Sequence, residues 1–324
     1  MRYRYSAAAP LMLATFMVAP AHAQDAASFP SKPVRVLLGI APGGATDIQA
    51  RLFSQKLAEN LRQQFIVENR PSADGAVAMG MVAKAAPDGY NLLAVTATLT
   101  IPHSASMNLP DPIKDFAPVS HVSRAPLLLV VHPSVPAKSV RELILLAKSR
   151  PGKMNFGGSP TGSIIQLATL WFFSLAGVNA TYVPYSGTGP SSTALSGGHV
   201  DAAMGSVISI GHHVKSGRLR ALGVTYAQRS RMWPDLPAIA EQGVPGFEYI
   251  AFHGWVAPAG TPAAIVNKLS AEIARVAKLP ELADKLKDDG AEPVGSTPEQ
   301  FRQLIAAEVP RWKKVVQDAG IKID

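Results

Sequence analysis

Short apolar runs alternate with longer amphipathic segments along most of the chain. Residues 34–40 form one such run, and residues 48–61 repeat their apolar positions at the spacing of a helix. A regular alternation of this kind is typical of parallel strands that are covered by helices. The pattern therefore predicts an α/β protein.

The predicted elements occupy most of the chain after residue 33. The strands are residues 34–40, 65–67, 91–94, 127–131, 155–157, 180–182, 202–205, 221–224 and 252–257. The helices are residues 48–61, 77–85, 140–149, 163–176, 189–196, 262–277, 280–288 and 298–317. Helix starts carry the usual signals, as at Thr297, which is placed to cap the last helix, and Pro298, which fits its first turn.

Two segments, residues 122–126 and 243–249, are predicted to cross between two lobes. One lobe then comprises residues 125–245, and the other comprises residues 24–124 together with 246–324. Proline-rich turns are equally common inside single domains, so this division competes with an alternative in which these segments are ordinary turns.

The first 23 residues have the layout of an export signal. Two arginines precede an apolar stretch at residues 7–18, and the string AHA at residues 21–23 forms a cleavage site. A membrane anchor is the alternative, but the stretch is too short to cross about 30 Å of hydrocarbon. We expect a signal peptide at residues 1–23, with cleavage after Ala23 and a free mature chain outside the cytoplasm.

Cysteine content and charge exclude several classes of protein. The chain has no cysteine, which excludes a lipid-anchored cysteine, disulfides, zinc–thiolate sites and thiol nucleophiles. Its formal charge of +8, which falls to +6 without Arg2 and Arg4, is scattered among acidic residues. A nucleic-acid groove would show clustered basic residues interleaved with aromatic ones. A mild positive field instead helps to attract small anions or to keep the protein soluble.

Three turns of similar composition lie between a predicted strand and a predicted helix. Glycine permits close approach of a ligand, and the first N–H groups of a helix lack internal partners and carry partial positive charge. An anion suits such a place, and each hydroxyl that donates to it adds about 1 kcal/mol. The turns are Pro42, Gly43, Gly44, Ala45, Thr46 and Asp47; then Gly158, Ser159, Pro160, Thr161, Gly162 and Ser163; then Tyr185, Ser186, Gly187, Thr188, Gly189 and Pro190.

Each turn also has a purely structural interpretation. Gly, Pro, Ser and Thr are standard turn and capping residues, and Asp47 is equally suited to cap its own helix. Three turns of one type, divided between two lobes, favour the functional interpretation. Two helix N-termini that face each other across a cleft suit an anion with two charged ends.

No catalytic or metal-binding pattern accompanies these turns. A nucleophile elbow needs Gly-x-Ser-x-Gly, but the string around Ser159 is GGSPT. The glycine-rich phosphate-binding strings are absent as well. His212 and His213 lack the spacing of metal ligands. We therefore expect no catalytic residue, metal or cofactor, and we expect the isolated histidines to be structural or exposed: His103, His121, His132 and His199.

Many ordered motifs resemble those of one family. They are FPSKPVRVLLGIAPGGATDIQARL, VENRPSADG, AAPDGYNLL, VPYSGTGP, GGHVDAAMGS, GRLRALGVT, RSRMWPDLPAIAEQGVPGFE and APAGTPAAIV. Residues 29–324 thus resemble Bug-type periplasmic solute-binding proteins, the receptors of tripartite tricarboxylate transporters. The resemblance implies a two-lobed periplasmic-binding-protein-like fold of type II, each lobe a sheet flanked by helices, with a cleft that closes on a carboxylate. It also implies a monomer in the periplasm, integral membrane subunits as partners, no nucleic acid and no catalysis.

The resemblance also implies a set of ligand-binding residues. In the family, the first two turns hold a ligand carboxylate with backbone N–H groups, hydroxyls and ordered water. That role is carried over to Pro42, Gly43, Gly44, Ala45, Thr46 and Asp47, and to Ser159, Thr161, Gly162 and Ser163. The remaining predicted ligand residues are Tyr185, Thr188, Gly189, Gln166, Ser206, His253 and Trp255.

Departures from the family pattern bear on the ligand. Ser186 replaces a common lysine, and Gln166 stands where histidine is frequent. Gly205 replaces an acidic residue, which removes a partner for an ammonium group and weakens the case for an amino acid. His253 and Trp255 offer an imidazole and an indole to a flat ring, although Trp255 is equally expected in the core.

These features predict a receptor for an aromatic or compact dicarboxylate, such as terephthalate, which is bound between the lobes and delivered to a membrane transporter. Alternatives are an amino-acid receptor, a receptor for a citrate-like tricarboxylate, a ligand sensor for a membrane signalling protein, and an exported hydrolase.

Overall fold

Two β-sheets, each flanked by helices, make up the computed structural model, which describes residues 28–43, 45–72, 75–102, 109–230, 233–288 and 290–318. The strands are β1 (Val34–Leu38), β2 (Phe65–Asn69), β3 (Asn91–Thr96), β4 (Phe116–Ala125), β5 (Leu127–Val131), β6 (Asn155–Gly158), β7 (Thr181–Pro184), β8 (Ala202–Ser206), β9 (Arg220–Val224), β10 (Ala251–Pro258) and β11 (Glu292–Pro293). The helices are α1 (Ala45–Leu61), α2 (Ala76–Ala83), α3 (Val140–Ser149), α4 (Ile164–Ala176), α5 (Thr188–Ser196), α6 (Val207–Lys215), α7 (Ala263–Ala277), α8 (Pro280–Asp288) and α9 (Pro298–Asp318).

The export signal predicted at residues 1–23 lies outside the described residues, as do Gly44 and His103. Within the described ranges, none of the helices combines the length and the apolar composition that a membrane span requires.

The two sheets follow one plan. The first has the order β11-β4-β10-β3-β1-β2, and the second has the order β7-β6-β8-β5-β9. In the first sheet, β1 is parallel to β2 and β3, and β10 is antiparallel to β3 and β4. In the second sheet, β6 is parallel to β7 and β8, and β5 is antiparallel to β8 and β9. Apart from the short edge strand β11, every strand of one sheet therefore has a counterpart in the other.

The chain passes between the sheets at two places that are tied together. β4 ends at Ala125 and β5 begins at Leu127, so only Pro126 separates the two sheets there. The buried hydroxyl of Thr225 accepts a hydrogen bond from the N–H of Leu127 (2.8 Å) and donates one to the carbonyl of Tyr249 (2.9 Å). This residue thus joins the outgoing segment to the returning one. The lobe boundaries at residues 124/125 and 245/246 stay a prediction.

Helix α9 contacts the apolar cores of both sheets. Phe301 and Ile305 pack in a cluster on the first sheet, whereas Trp312 and Val315 pack in the main cluster of the second. Burial of a side chain of this size contributes about 1.5–3 kcal/mol. The helix therefore couples the stability of the two halves.

The sequence pattern missed β4, α6 and β11, while the other predicted elements overlap the observed ones. β4 was missed because its sequence, FAPVSHVSRA, contains proline and several polar residues. Its buried serines have partners, since the Ser120 hydroxyl donates to the carbonyl of Ser296 (2.8 Å) and the Ser123 hydroxyl donates to the Gln49 amide oxygen. α6 was missed because its first turn, which contains Val207 and Ile208, is rich in β-branched residues that also suit strands.

Candidate functional site

The first turn, between β1 and α1, is held by the side chain of Asp47. Gly43 has φ of 89°, and its N–H donates to Asp47 Oδ2 (3.0 Å). The same carboxylate accepts hydrogen bonds from Arg51 Nε (3.1 Å) and Asn69 Nδ2 (3.0 Å), and it is only 3% exposed. Asp47 therefore fixes the shape of the turn, as its structural interpretation expects, and its contact with a ligand stays a prediction.

The pKa of Asp47 reflects this environment. Burial of the carboxyl acts to raise its pKa, but hydrogen bonds from Arg51, Gly43 and Asn69 outweigh that effect and hold the pKa below its ordinary value. The group is thus an anion at neutral pH, and its charge is compensated by Arg51 at 3.0 Å.

The second turn, between β6 and α4, is held in the same way by a neutral side chain. Gly162 has φ of 83°, and its N–H donates to Gln166 Oε1 (2.7 Å). The Ser163 hydroxyl caps α4 by accepting the N–H of Gln166 (3.3 Å). Gln166 is 8% exposed, so its amide oxygen is committed to the turn.

The first two turns are structural counterparts. Each follows the strand that is parallel to both its neighbours, β1 in one sheet and β6 in the other. Each contains a glycine with positive φ whose N–H is accepted by a side chain four residues later: Gly43 with Asp47, and Gly162 with Gln166. A left-handed backbone favours glycine at both places. The first N–H groups of a helix have no partner within the helix, so those that no side chain caps are suited to an anion.

Tyr182 covers the second turn from the neighbouring strand. Its hydroxyl donates to the carbonyl of Ser159 (2.7 Å), and a Cβ added to Gly158 would lie 2.2 Å from that hydroxyl oxygen. Ser159 is buried, whereas Thr161 and Gly162 are exposed on the turn. Close packing on β6 therefore leaves the later residues of this turn accessible.

The third turn is joined to the start of α6 by a chain of hydroxyl groups. Thr188 Oγ1 lies 2.6 Å from Ser209 Oγ, which lies 2.9 Å from Ser206 Oγ. Gly189 is exposed at the start of α5, and Tyr185 packs against an apolar cluster of the second sheet. The structure thus brings Thr188 and Ser206 together, with Ser209 as a link that the sequence pattern missed because α6 was not predicted.

His253 lies beside the first turn. Its Nδ1 is 3.1 Å from Thr46 Oγ1, and its backbone is paired with Thr96 at the end of β3. Burial lowers the pKa of His253 to about 4, so its imidazole is neutral near pH 7. A neutral imidazole can donate or accept a hydrogen bond, according to its tautomer, but it supplies no positive charge.

Trp255 lies in the core of the first sheet. It is 2% exposed and belongs to the same apolar cluster as Phe53 and Ile265. This placement fits the core alternative for Trp255 rather than stacking of its indole on a ligand.

A cavity of about 260 Å³ lies beside the first turn, at the carboxyl ends of β1 and β3. Its lining includes Thr46 from the predicted set, together with hydroxyl groups that the sequence analysis missed, at Ser72, Thr96 and Thr98. The threonine-rich string TATLT, which begins at the last residue of β3, was the available signal, because the carboxyl ends of parallel strands form binding edges. The other lining residues are Gly39, Ile40, Gly75, Met79, Leu93, Ala94, Val95 and Leu99.

The structure groups the predicted residues by sheet. On the first sheet, Thr46 and His253 lie together beside the cavity. On the second sheet, the other two turns follow the adjacent strands β6 and β7. Ile164, the first residue of α4, packs against clusters of both sheets and so brings the second turn close to the first half. Within the described residues, no group of three or more acidic or histidine side chains is placed to hold a metal ion.

The structure has two α/β halves of one plan, glycine turns at equivalent strand ends and a cavity beside one of these turns. These features define a class of α/β proteins that bind small molecules. A family model described as the tripartite tricarboxylate transporter family receptor matches residues 49–321, which is most of the chain. The chain belongs to this family.

Individual relatives agree with this assignment. Protein BugT of Bordetella pertussis is 34% identical over 302 residues, which cover 92% of this chain and 93% of BugT. The structure of R. palustris Rpa4515 with adipate is 36% identical, with a TM-score of 0.75, and covers 90% of this chain and 99% of that one. MatC from Rhodopseudomonas palustris with bound malate is 34% identical, with a TM-score of 0.70, and covers 89% and 100%.

These findings confirm the predicted Bug-type family and the α/β fold of two sheets flanked by helices. Members of this family are periplasmic solute-binding receptors rather than enzymes, and they serve membrane transporters. The class of the protein is therefore that of a periplasmic receptor for small carboxylates.

Proposed function

We propose that this receptor captures an aromatic or compact dicarboxylate, such as terephthalate, between its two halves and delivers it to the membrane subunits of its transporter. One carboxylate is held by the first and second turns, and the body of the ligand extends along the hydroxyl groups at the strand ends. Closure is favoured because some contacts form only when both halves touch the ligand.

The observation that carries this proposal is the matched pair of turns. Gly43 and Gly162 take the same left-handed conformation at equivalent positions, and each is anchored by a side chain of its own helix. Both turns lead into a helix start, where the N–H groups that no side chain caps are candidate donors in a preformed arrangement. Preformed donors lose little freedom on binding, which favours affinity for a carboxylate.

The relatives and the charge distribution support a dianionic ligand. The structures of Rpa4515 with adipate and MatC with malate each contain a dicarboxylate. The formal charge of +8 over the whole chain favours attraction of anions. Gly205, where an acidic residue would have suited an ammonium group, argues against an amino acid.

We divide the ligand-binding residues predicted from the sequence into three groups. Thr46, Thr161, Ser163, Thr188 and Ser206 carry hydroxyls at the strand ends and are the strongest candidates. Asp47 and Gln166 act through the turns that they anchor, and Trp255 acts through the core. The others are Pro42, Gly43, Gly44, Ala45, Ser159, Gly162, Tyr185, Gly189 and His253.

Calorimetric titration of the mature chain tests this function. The panel comprises terephthalate, adipate, malate, citrate, benzoate and glutamate. We expect at least one of terephthalate, adipate and malate to bind at least tenfold more tightly than benzoate, which lacks a second carboxylate. The same acid should bind at least tenfold more tightly than glutamate, because Gly205 offers no acidic partner to an ammonium group. Tight binding of glutamate alone, or of citrate alone, would contradict the proposal.

Substituted glycines test whether the turns hold the ligand. Gly43→Val and Gly162→Val each force a β-branched residue into a left-handed backbone and should weaken binding at least tenfold. Gly217→Val is the matched control, since Gly217 has φ of 72° and open space around it but follows α6, away from the three turns. If all three variants bind alike, the turns have no role in binding.

We further propose that residues 1–23 are removed after Ala23 and that the mature receptor is a monomer. Mass spectrometry of the exported chain and light scattering of the purified protein test these two points. A retained N-terminal segment or a stable dimer would contradict them.

A further inference from the structure

The positive charge of the chain is concentrated in one of its two halves. Residues 125–245, which contain the second sheet, carry ten Lys and Arg residues but four Asp and Glu residues, a net charge of +6. Residues 24–124 and 246–324 together contain 19 basic and 19 acidic residues, which leaves no net charge. The second half is therefore the cationic half.

Half of these ten cations lie on helix α3 and directly beside it. On the helix, Arg141, Leu145 and Lys148 are exposed and are spaced by four and three positions, so they share one face. Leu145 is 63% exposed, the largest value among the exposed large hydrophobic side chains of the described residues. The opposite face, which includes Leu143 and Ile144, is buried in the main core of the second sheet. A leucine thus stands between two cations on the solvent side of a helix that the core holds in place.

The basic surface continues beyond both ends of the helix. Lys138 precedes α3, and Arg150 and Lys153 lie in the turn between α3 and β6; all three are exposed. Arg220 adds a further cation nearby, because its Nη1 donates to the carbonyl of Ala137 (3.1 Å), the residue before Lys138. We use the name basic face for the exposed side chains of Lys138, Arg141, Leu145, Lys148, Arg150 and Lys153.

The cations of the basic face are not neutralised by neighbouring carboxylates. None of its five Lys and Arg residues forms an ion pair with another described residue. Glu142 accepts the backbone N–H of Lys138 (2.7 Å) and so serves the start of the helix. On α9, in contrast, Lys314 is paired with Asp318 (2.7 Å). The charge of the basic face is therefore available to an outside partner.

The turn at the end of the basic face lies away from the turns that are proposed to hold the ligand. Arg150 and Lys153 precede the amino end of β6, whereas the second turn follows the carboxyl end of the same strand. The third turn follows β7, which is parallel to β6, so it lies at the same carboxyl end. A partner at the amino end of β6 thus leaves the carboxyl end free for the ligand.

An anionic lipid surface matches these features. Exposed, unpaired cations are attracted to a negatively charged membrane, and an apolar side chain among them can enter the boundary between headgroups and acyl chains. A protein interface would instead need an apolar core, and Leu145 is the one exposed large hydrophobic residue on α3. Receptors of this family serve membrane transporters, so a membrane surface is present where they act.

We propose that the basic face binds anionic phospholipid headgroups on the membrane that carries the transporter subunits. The attachment is weak and reversible, because a polybasic surface is only one of the two signals that stable anchoring requires. It keeps the receptor close to the transporter while the ligand turns of the second half stay free. It depends neither on which ligand is bound nor on whether one is bound.

Sedimentation of residues 24–324 with lipid vesicles tests this inference. The vesicles contain phosphatidylglycerol and phosphatidylcholine in equal amounts, or phosphatidylcholine alone. At about 0.1 M salt, we expect at least tenfold stronger binding to the anionic vesicles. The difference should disappear at about 1 M salt, because the screening length falls from about 10 Å to about 3 Å.

Charge reversal locates the binding surface. Arg141→Glu combined with Lys148→Glu should weaken binding to the anionic vesicles at least tenfold, and Leu145→Ser should weaken it at least twofold. The control combines Lys278→Glu with Lys313→Glu, at two lysines that are exposed, lie outside residues 125–245 and have no ion pair with a described residue. The control makes the same change in net charge and should bind within twofold of the wild type. Thermal melting shows whether each variant is folded.

Three results overturn the inference. One is equal binding of the wild-type chain to both kinds of vesicle. Another is an equal loss of binding in the control and in the folded variant of α3, which would show that net charge alone matters. The third is binding that requires the transporter's membrane subunits in vesicles of either composition, which would make the partner a protein. If the helix variant does not fold, Arg150→Glu with Lys153→Glu, in the turn after α3, takes its place with the same expected loss.

Discussion

The two halves share a plan but anchor their turns differently. In the first half, the turn glycine is bound by the charged Asp47, which is itself held by Arg51 and Asn69. In the second half, the equivalent glycine is bound by the neutral Gln166. The backbone geometry is the same, so the difference lies in charge and in the number of partners. The charge of the carboxylate anchor is compensated by Arg51, whereas the amide anchor carries no charge.

The packing beside the first two turns also differs between the two halves. The first half has a cavity next to a contact between two glycines, whereas in the second half Tyr182 lies against Gly158 and Tyr185 lies close to Gly157. The two strand ends are therefore packed differently. Each of the following predictions compares a change in one half with its counterpart in the other.

The largest effect is expected from an added methyl group at the two strand ends. Gly39→Ala places a Cβ 2.3 Å from the backbone of Gly75, whereas Gly158→Ala places one 2.2 Å from the Tyr182 hydroxyl. Backbone cannot yield as a side chain can, so Gly39→Ala should cost about 3 kcal/mol of unfolding free energy and Gly158→Ala about 1 kcal/mol. Urea denaturation measures both, and equal losses would show that the two ends are equally tolerant.

Acid should destabilise the first half through two histidines whose pKa is lowered in the folded protein. Burial lowers the pKa of His121, on β4, and of His253, on β10, from 6.5 to about 4. Between pH 6.5 and 4, these histidines therefore bind protons in the unfolded chain but not in the folded chain. Stability is complete above about pH 6.5 and falls as the pH drops, by up to about 1.4 kcal/mol per pH unit for each histidine.

Denaturation at pH 7, 6 and 5 checks this dependence. His253→Gln should reduce the slope between pH 6 and 5, and His132→Gln, at a residue on the second half, serves as the control. Asp47 acts in a lower range, because its pKa is depressed and its contribution is lost only as the pH falls through that lowered value. A slope that His253→Gln leaves unchanged would show that His253 is readily protonated in the folded protein.

Substitution of Asp47 and Gln166, the side chains that anchor the first two turns, should have a smaller effect on stability. Asp47→Asn removes the charge that binds Arg51 and should cost about 2 kcal/mol, as is usual for hydrogen bonds to charged groups. Gln166→Glu keeps an acceptor for Gly162 at the start of a helix, where a negative charge is favourable, so stability should change by at most about 0.5 kcal/mol. The added charge should nevertheless weaken binding of a dicarboxylate severalfold, as measured by calorimetry. Equal stability losses in the two variants would mean that the anchors are interchangeable.

The strands and helices that were predicted correctly are those that the local sequence pattern determines. Apolar runs such as β5 and helices such as α3 were predicted with their observed ends, because their periodicity is set by local residues alone. β4 was not predicted because its serines and His121 are buried through partners distant in sequence, such as Ser296. Long-range hydrogen bonds of this kind leave no local signal.

The site was predictable to a similar extent. The three turns were visible as glycine and hydroxyl strings before helices, and the structure places them at strand ends on the two sheets. The contact between Thr46 and His253, 207 positions apart, was not visible because it is a tertiary contact between the start of α1 and β10. The cavity was missed for a related reason, since an empty volume depends on two glycines that meet in space.

A crystal structure of the mature chain with a bound dicarboxylate tests the central claim most directly. Our account predicts one carboxylate between the turn that contains Gly43 and the turn that contains Gly162, with N–H donors from both halves within hydrogen-bond distance. A ligand whose carboxylates contact neither turn would contradict the account.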